Sequence, residues 1–357
     1  MAVADPAAEV RLAAAQRLFS PETTYLNTAS YGLPPRTAFE ALAAAADEWR
    51  HGRTGFGGWD RSVGAARATF ARLAGVEEGD VATGTAVSAF AGIVAAALPP
   101  GARVLCAEGD FTSVLFPFLV QERRGVTVEL VPPDRIPEAL DGRHDLVAVS
   151  AVQSADGRVA DLDALAASAA HHDVRAFVDV TQALGWLPVD CSRFDYTGCA
   201  GYKWLLSPRG TAFFTVREER RDELVPHAAG WYAGEVVPES YYGAPLRLAH
   251  DARRFDLSPA WLNWVGAAPA LALLEEVGID AIHAYDVRLA ARLGEGLGLP
   301  PGDSAIVSVS GLDDRAAERL AQAGVIAAGR GGALRLSCHL YTTERDVDRA
   351  LEVLNRR

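Results

Sequence analysis

The sequence predicts an α/β protein with a doubly wound, mostly parallel sheet, and three observations carry that expectation. Five short apolar runs recur, "ARVLC" at 102, "VTVELV" at 126, "DLVAVS" at 145, "VRAFVD" at 174 and "TAFFTV" at 211, with alanine-rich helical stretches between them. The runs are near-continuous rather than alternating, as strands covered on both faces are. Half of the 357 residues are apolar, enough for a sizeable core and a soft prior of about two domains.

Taken in order, "MAVADPAAEVRLAAAQRLF" reads as an amphipathic helix in a helical segment spanning 1–24, with no basic n-region and no unbroken apolar core of a signal peptide. A large α/β domain is expected over 25–245. The longest apolar stretch, Val87 to Leu98, falls well short of the roughly 20 residues that cross a bilayer. Beyond 217 the pattern changes to a Gly, Pro and Tyr-rich loop at 230–245 and a long helix around "WVGAAPALALLEEVG". "AIVSVSG" and "ALRLSCHL" then read as strands of a smaller α+β domain over 246–357.

A net charge of −12 excludes a phosphate-backbone partner, so neither nucleic acid nor a membrane is expected. Cys106, Cys191, Cys199 and Cys338 lie far apart with no Cys-x-x-Cys pair, which fits reduced thiols in a cytoplasm and gives no metal site. His171 and His172 are neighbours in sequence and diverge on a helix.

Gly84 and Thr85, in "ATGTAVSAF", open an apolar helix, so this turn is either an ordinary N-cap at Thr83 or Thr85 or a place for phosphate on free backbone N–H groups. No G-x-G-x-x-G follows a strand, and "GRGG" at 329–332 has the wrong spacing for a dinucleotide. Asp179 ends an apolar run, Gln182 lies three residues on, and Lys203 stands between two aromatic residues in "GYKWL". A buried carboxylate and a buried lysine are both costly unless something meets them. Pyridoxal 5'-phosphate meets both, with a ring nitrogen for the acid, a phenolic oxygen for the amide and an aldehyde for the amine.

The stretch "VRAFVDVTQALGWLPVDCSRFDYTGCAGYKWLLSPRGTAFFTVR" resembles the cofactor core of the class V aminotransferases, fold-type I pyridoxal phosphate enzymes that include cysteine desulfurases, isopenicillin N epimerase and kynureninase. The likeness runs from "YLNTASYG" at 25 to "HLYTTERDVDRAL" at 339, and D-x-x-Q followed by K-W-L and P-R-G is its specific core. It implies that Lys203 is the Schiff-base lysine, Asp179 the partner of the pyridinium nitrogen and Gln182 the contact to the phenolic oxygen. Thr85 and the backbone of Ala86 would hold the phosphate. Phe111 would lie over the ring, where the desulfurases have a histidine. Arg335 would grip the substrate carboxylate, with Arg330 and Asn27 as further substrate contacts.

The chain departs from that pattern at Ala200 and Tyr202, where the family often has Ser or Thr and His near the phosphate, so the Tyr202 hydroxyl is a replacement candidate. Gln153 and Ser154 stand near the position of a desulfurase asparagine, and Ser258 is the counterpart of a threonine that reaches the partner's phosphate. The loop "VIAAGRGGALR" carries no cysteine, which disfavours persulfide chemistry. Trp231, Tyr232, Tyr241, Tyr242 and Trp261 either line a substrate pocket or pack among themselves. The resemblance implies a homodimer with a shared active site, and a small amino acid processed through an external aldimine and a Cα carbanion. Transamination or carbon–sulfur and β-elimination is the favoured outcome, epimerisation the alternative within the family. A cofactor-binding protein without turnover is the alternative outside it.

Overall fold

The structure is a computed structural model that describes residues 6–313 and 315–356. The first five residues of the expected N-terminal helical segment lie outside the described residues. In chain order the helices are α1 (Pro6–Gln16), α2 (Arg36–Arg50), α3 (Phe56–Ala74), α4 (Val87–Ala97), α5 (Thr112–Leu119), α6 (Ile136–Ala139), α7 (Leu162–His172), α8 (Trp261–Val277), α9 (Ile279–Gly296), α10 (Ala316–Gln322) and α11 (Glu344–Leu354). The strands are β1 (Thr24–Tyr25), β2 (Val81–Gly84), β3 (Arg103–Ala107), β4 (Thr127–Val131), β5 (Leu146–Ser150), β6 (Arg175–Asp179), β7 (Tyr196–Ala200), β8 (Ala212–Val216), β9 (Ile306–Val309), β10 (Val325–Ile326), β11 (Ala328–Arg330) and β12 (Ala333–Ser337).

Seven strands form one sheet in the order β2-β8-β7-β6-β5-β3-β4. All its pairings are parallel except those that β8 makes with β2 and β7. The sheet is buried where both faces are apolar: β2, β5, β7 and β8 are buried at every residue. Alternate side chains serve opposite faces, so Phe213 stacks on Phe70 of α3 at 4.0 Å while Phe214 stacks on Phe90 of α4 at 4.9 Å. Each such ring contributes about 1.5–3 kcal/mol by leaving water. The run at 126–131 differs from its siblings. It forms the edge strand β4, largely open to solvent, with Glu129 paired to Arg103 of β3 at 3.2 Å.

β3 leads outward to β4 and the chain then returns to the other side of β3 as β5, so the direction of winding reverses between β3 and β5. Ligands sit outside the carboxyl ends of strands at such a reversal.

A second sheet, in the order β11-β12-β9, is antiparallel, and β1 pairs with β10 in a short parallel ladder. α11 starts on a reciprocal cap, with Thr343 accepting from the Asp346 N–H and Asp346 accepting from the Thr343 N–H. Its Val347, Ala350, Val353 and Leu354 recur at helical spacing and face the core of this smaller unit. α8 lies beyond residue 245 and packs on α2 and α3 of the large sheet's layer. No described helix is long and apolar enough to cross a membrane.

Candidate active site

The carboxyl ends of β3, β5, β6 and β7 enclose a cleft of about 290 Å³. Asp179 is the last residue of β6, 4% exposed, and its Oδ1 accepts the Thr181 N–H at 2.8 Å. Thr181 is fixed in turn, its hydroxyl accepting the Ala200 N–H at 2.9 Å. Burial pushes the Asp179 carboxyl up to about 6; the Thr181 donors and the Lys203 ammonium pull the other way, and Asp110 adds to the rise.

Lys203 follows β7 in a tight turn closed by Leu206 N–H to Lys203 C=O at 3.2 Å and Ser207 N–H to Gly201 C=O at 3.0 Å, with Leu206 held at a φ of 54°. The backbone here is approached closely from two sides. A Cβ on Gly32 would stand 2.0 Å from the Lys203 oxygen, and one on Gly185 2.4 Å from the Trp204 oxygen, so only glycine serves at either place. The lysine is 5% exposed, and its amine lies 5.2 Å from the Phe111 ring centre and 5.8 Å from that of Tyr202. Desolvation lowers it to about 8, with Asp179 opposing and Arg335 and Arg330 adding to the fall.

One end of the cleft is the start of α4, where Thr85, Ala86, Val87 and Ser88 line the wall. The N-cap, Ala86, provides no side-chain cap, so the first-turn N–H groups face the cleft without a capping oxygen. Arg209 lines the same cleft, its guanidinium 4.8 Å above the Tyr202 ring.

Arg335 of β12, 1% exposed, and Arg330 stand outside the lining; Arg335 meets the cleft through Ser154, donating to the Ser154 carbonyl, to the Ser154 hydroxyl at 3.2 Å and to the Ser30 hydroxyl at 2.8 Å. Its Nε is buried without a partner. Burial and the neighbouring Arg330 lower Arg335 to about 10. Arg330 is exposed and reaches the same Ser30 hydroxyl at 3.3 Å. No acidic side chain pairs with either arginine among the described residues.

Of the residues singled out by sequence, Thr85, Ala86, Phe111, Asp179, Gln182, Tyr202 and Lys203 line this one cleft. Gln182 is already engaged: its amide donates to the Ala29 carbonyl and the Ser154 hydroxyl, both at 3.0 Å, and accepts the Trp204 indole N–H at 2.8 Å. A cofactor oxygen would therefore compete with the Ser154 hydroxyl for that donor. Asn27 stands outside the lining, on a bridge to Ser337, with its Oδ1 buried and unpartnered. Ser258 is exposed on the loop after Asp256, away from its own chain's cleft. The aromatic residues Trp231 and Trp261 pack together at 6.2 Å, and Trp261 stacks on Phe56 at 4.8 Å, so they build a surface cluster rather than the cleft wall.

Ser30, Asp110, Ser150 and Arg209 were not foreseen. Asp110 braces the site by accepting the Ser150 N–H at 2.8 Å and hydroxyl at 2.5 Å. Arg209 alone had a signal, as the middle residue of P-R-G. The donor set fits pyridoxal 5'-phosphate: a free amine, a buried carboxylate, a ring-sized aromatic wall, and uncapped N–H groups and a guanidinium lining the same cleft.

A buried lysine amine and a buried carboxylate share one cleft at the reversal point of an α/β sheet, where ligands of such sheets sit. The family model for aminotransferase class-V matches residues 61–311. The chain is 30% identical to the uncharacterized aminotransferase YcbU of Bacillus subtilis (strain 168), over 80% of this chain and 81% of that one. It is 28% identical to isopenicillin N epimerase of Streptomyces clavuligerus, over 95% and 96%. Among solved structures, a C-DES mutant with glycine covalently linked to its PLP cofactor superposes with a TM-score of 0.84 at 21% identity, covering 94% of this chain and 97% of that one. The chain is an enzyme of the class V aminotransferase family, with the fold of the fold-type I pyridoxal phosphate enzymes.

Proposed function

We propose that the protein is a pyridoxal 5'-phosphate enzyme that moves the Cα proton of an amino acid, ending in transamination or in carbon–sulfur or β-elimination. The observation that carries this reading is the Lys203 amine, lowered to about 8 and facing the buried Asp179 inside the cleft. When bound, the cofactor supplies a carbonyl for amines and a ring that accepts electrons. Asp179 keeps a proton on the ring nitrogen, which the low dielectric of the strand end makes effective. Lys203 would hold the cofactor through its amine and, as a free amine, would take and return the Cα proton as general base and acid.

Arg335 binds the substrate carboxylate, a role its unpaired guanidinium supports, with Arg330 placed for a second acidic group and Asn27 nearby on the N-terminal segment. Phe111 would wall the ring, and Gln182 would serve the phenolic oxygen. Thr85, Ala86, Tyr202 and Arg209 take the phosphate. Arg209 thus supplies the charge that Ala200 and Tyr202 do not. Ser258 acts in the partner's site of a homodimer, a reading supported by its exposure and by exposed apolar residues such as Phe56, Tyr242 and Leu246.

Among the titratable side chains lining the cleft, Asp179 is taken by the ring nitrogen and Arg209 by phosphate, which leaves Lys203 and the phenol of Tyr202. Burial raises the Tyr202 phenol, so Lys203 is the one base suited to the Cα proton. That favours one-base outcomes over two-base epimerisation. Persulfide formation is disfavoured because Cys338 is buried beyond Arg335 and its thiol is pushed upward by burial. The four unpaired, buried cysteines support a reducing, cytoplasmic setting.

The test is reconstitution. Borohydride should fix the cofactor on Lys203, Lys203→Ala should lose the yellow band, and a screen of amino acids with pyruvate should release either a keto acid with alanine or ammonia with a thiol. A protein that gains no band with added cofactor would sink the reading.

A further inference from the structure

We propose that His339 and Asp286 form a positioning pair through which the smaller sheet unit fixes the backbone of the lysine segment, an inference that rests on the assignment of Lys203 above. His339 lies four residues beyond Arg335, in the turn that follows β12, and its ring is 0% exposed. Nε2 is 3.0 Å from the carbonyl oxygen of Trp204, the residue directly after Lys203. Nδ1 is 2.9 Å from Oδ2 of Asp286, on α9 and likewise 0% exposed.

A carbonyl only accepts, so Nε2 carries a proton. The Nδ1 contact also needs a proton between nitrogen and oxygen, since a bare ring nitrogen facing a carboxylate would repel it. The pair therefore holds one proton more than neutral imidazole plus carboxylate, either as imidazolium and carboxylate or as imidazole and carboxylic acid. Both forms are neutral overall, which is how two titratable groups tolerate full burial. Burial pushes the Asp286 carboxyl up to about 6 and His339 opposes the rise, while Oδ1 of Asp286 is buried without a partner, so the His339 contact is the one that compensates this carboxyl.

The Trp204 carbonyl has no other donor among the described residues, and without His339 it would be a buried acceptor left unsatisfied. Trp204 is also tied at its far end, where the indole N–H meets Gln182. One residue thus spans the Gln182 amide and the His339 ring, so the Trp204–Leu205 peptide is held through its carbonyl, while the Lys203–Trp204 peptide just before it is held by the Leu206 N–H on the Lys203 carbonyl. Arg335 and His339 occupy one continuous segment, so the strand that holds the substrate carboxylate also sets the lysine's position. His339 touches neither cleft nor ligand and acts through the Trp204 peptide.

The variants are His339→Gln, whose amide N–H reaches the Trp204 oxygen, His339→Asn, which meets Asp286 and is too short to reach it, and His339→Leu. Two readouts are used: the pH dependence of Lys203 reductive methylation in the apoprotein, followed by peptide mass spectrometry, and kcat against KM in the reconstituted enzyme. Expected is a displaced methylation profile and a kcat lowered by about a hundredfold, with KM nearly unchanged, in the Leu and Asn variants, because small misplacement of a reacting group costs about that much. His339→Gln should recover both. Wild-type methylation and kcat in all three would overturn the proposal, as would a Gln variant as impaired as Leu with losses that follow melting temperature alone. If His339→Leu does not fold, the Asn and Gln pair decides. Failure of the Lys203 reading shows separately, as absence of a borohydride-fixed adduct on Lys203 in the wild type, and the apoprotein methylation profile then decides the pair.

Discussion

Arg335 and Arg330 donate to one hydroxyl, that of Ser30, at 2.8 and 3.3 Å, and no carboxylate pairs with either among the described residues. Two like charges converging on a neutral acceptor are at a disadvantage that a bound anion relieves. Arg335→Lys keeps the charge and loses the fork, so it should cost about 1.5–3 kcal/mol in transition-state binding, roughly 10- to 100-fold in kcat/KM. Arg330→Ala, at an exposed position, should cost at most about 1 kcal/mol toward a monocarboxylate amino acid and more toward a dicarboxylate one. Steady-state kinetics with a matched substrate pair measures both. Equal losses toward the two substrates would remove Arg330 from substrate recognition.

Burial lowers the amine of Lys203 to about 8 from the usual 10.5. In the apoprotein the folded state then loses this proton before the unfolded state does, so between pH 8 and 10.5 the unfolded state binds more protons and stability rises with pH. Below pH 8 the whole burial cost is present, on the order of 3 kcal/mol at about 1.4 kcal/mol per pKa unit. Lys203→Met should be the more stable apoprotein at pH 7 and should lack the rise, which urea titrations across that range would show. Asp179→Asn removes the group that most raises the amine, so Lys203 should become reactive at still lower pH while turnover falls, since an amide cannot hold the ring-nitrogen proton. A wild-type methylation profile in Asp179→Asn would break the proposed link between the two.

Much of this was legible in the chain because it is local. The runs at 102, 145, 174 and 211 are apolar without alternation and form β3, β5, β6 and β8, and Asp179, Gln182 and Lys203 lie within one short stretch whose spacing is set by strand, turn and strand. β7 escaped notice because "YTGCA" is small and Gly-broken, becoming a central strand only through its neighbours. Ser30 was illegible as a site residue for a different reason. A lone loop serine has no pattern, and it meets Ser154 at Arg335 only because β12 is brought between segments far apart in sequence. Asp286 and His339 are likewise separated by 53 positions, and burial alone makes their pairing informative.

Arg209 stands over the Tyr202 ring in the cleft that the start of α4 also lines, with no acidic partner among the described residues. If it balances the cofactor phosphate, Arg209→Ala should weaken cofactor affinity by about tenfold, as loss of one charge-assisted contact of about 1.5 kcal/mol would. Inorganic phosphate should protect the wild-type apoprotein against thermal unfolding more than it protects the variant. Absorbance titration of apoprotein with cofactor gives the affinity directly. Unchanged affinity together with unchanged phosphate protection would assign the anion to the α4 N–H groups alone.

Asp256 and Arg67 form a buried ion pair at 2.6 Å that holds β2, the strand leading to the α4 end of the cleft. The carboxylate also accepts the Thr83 N–H at 2.7 Å and its hydroxyl at 3.2 Å, and Arg67 donates to the Val81 carbonyl, so α3, β2 and the loop before α8 meet at one point. Removing one partner leaves a buried charge without compensation, and Asp256→Ala should cost about 3–5 kcal/mol in urea unfolding. Arg67→Met/Asp256→Leu should recover part of that, since no lone charge remains. Recovery should stop short of wild type, because the Val81 carbonyl and Thr83 N–H each stay unsatisfied at about 1–3 kcal/mol. β2 runs directly into Thr85 and Ala86, so both variants should also bind cofactor more weakly than wild type even where they are folded. A double variant that restores stability and leaves cofactor affinity as low as in Asp256→Ala would show that the pair places the α4 entry as well as holding the core, whereas full return of affinity would confine its role to stability.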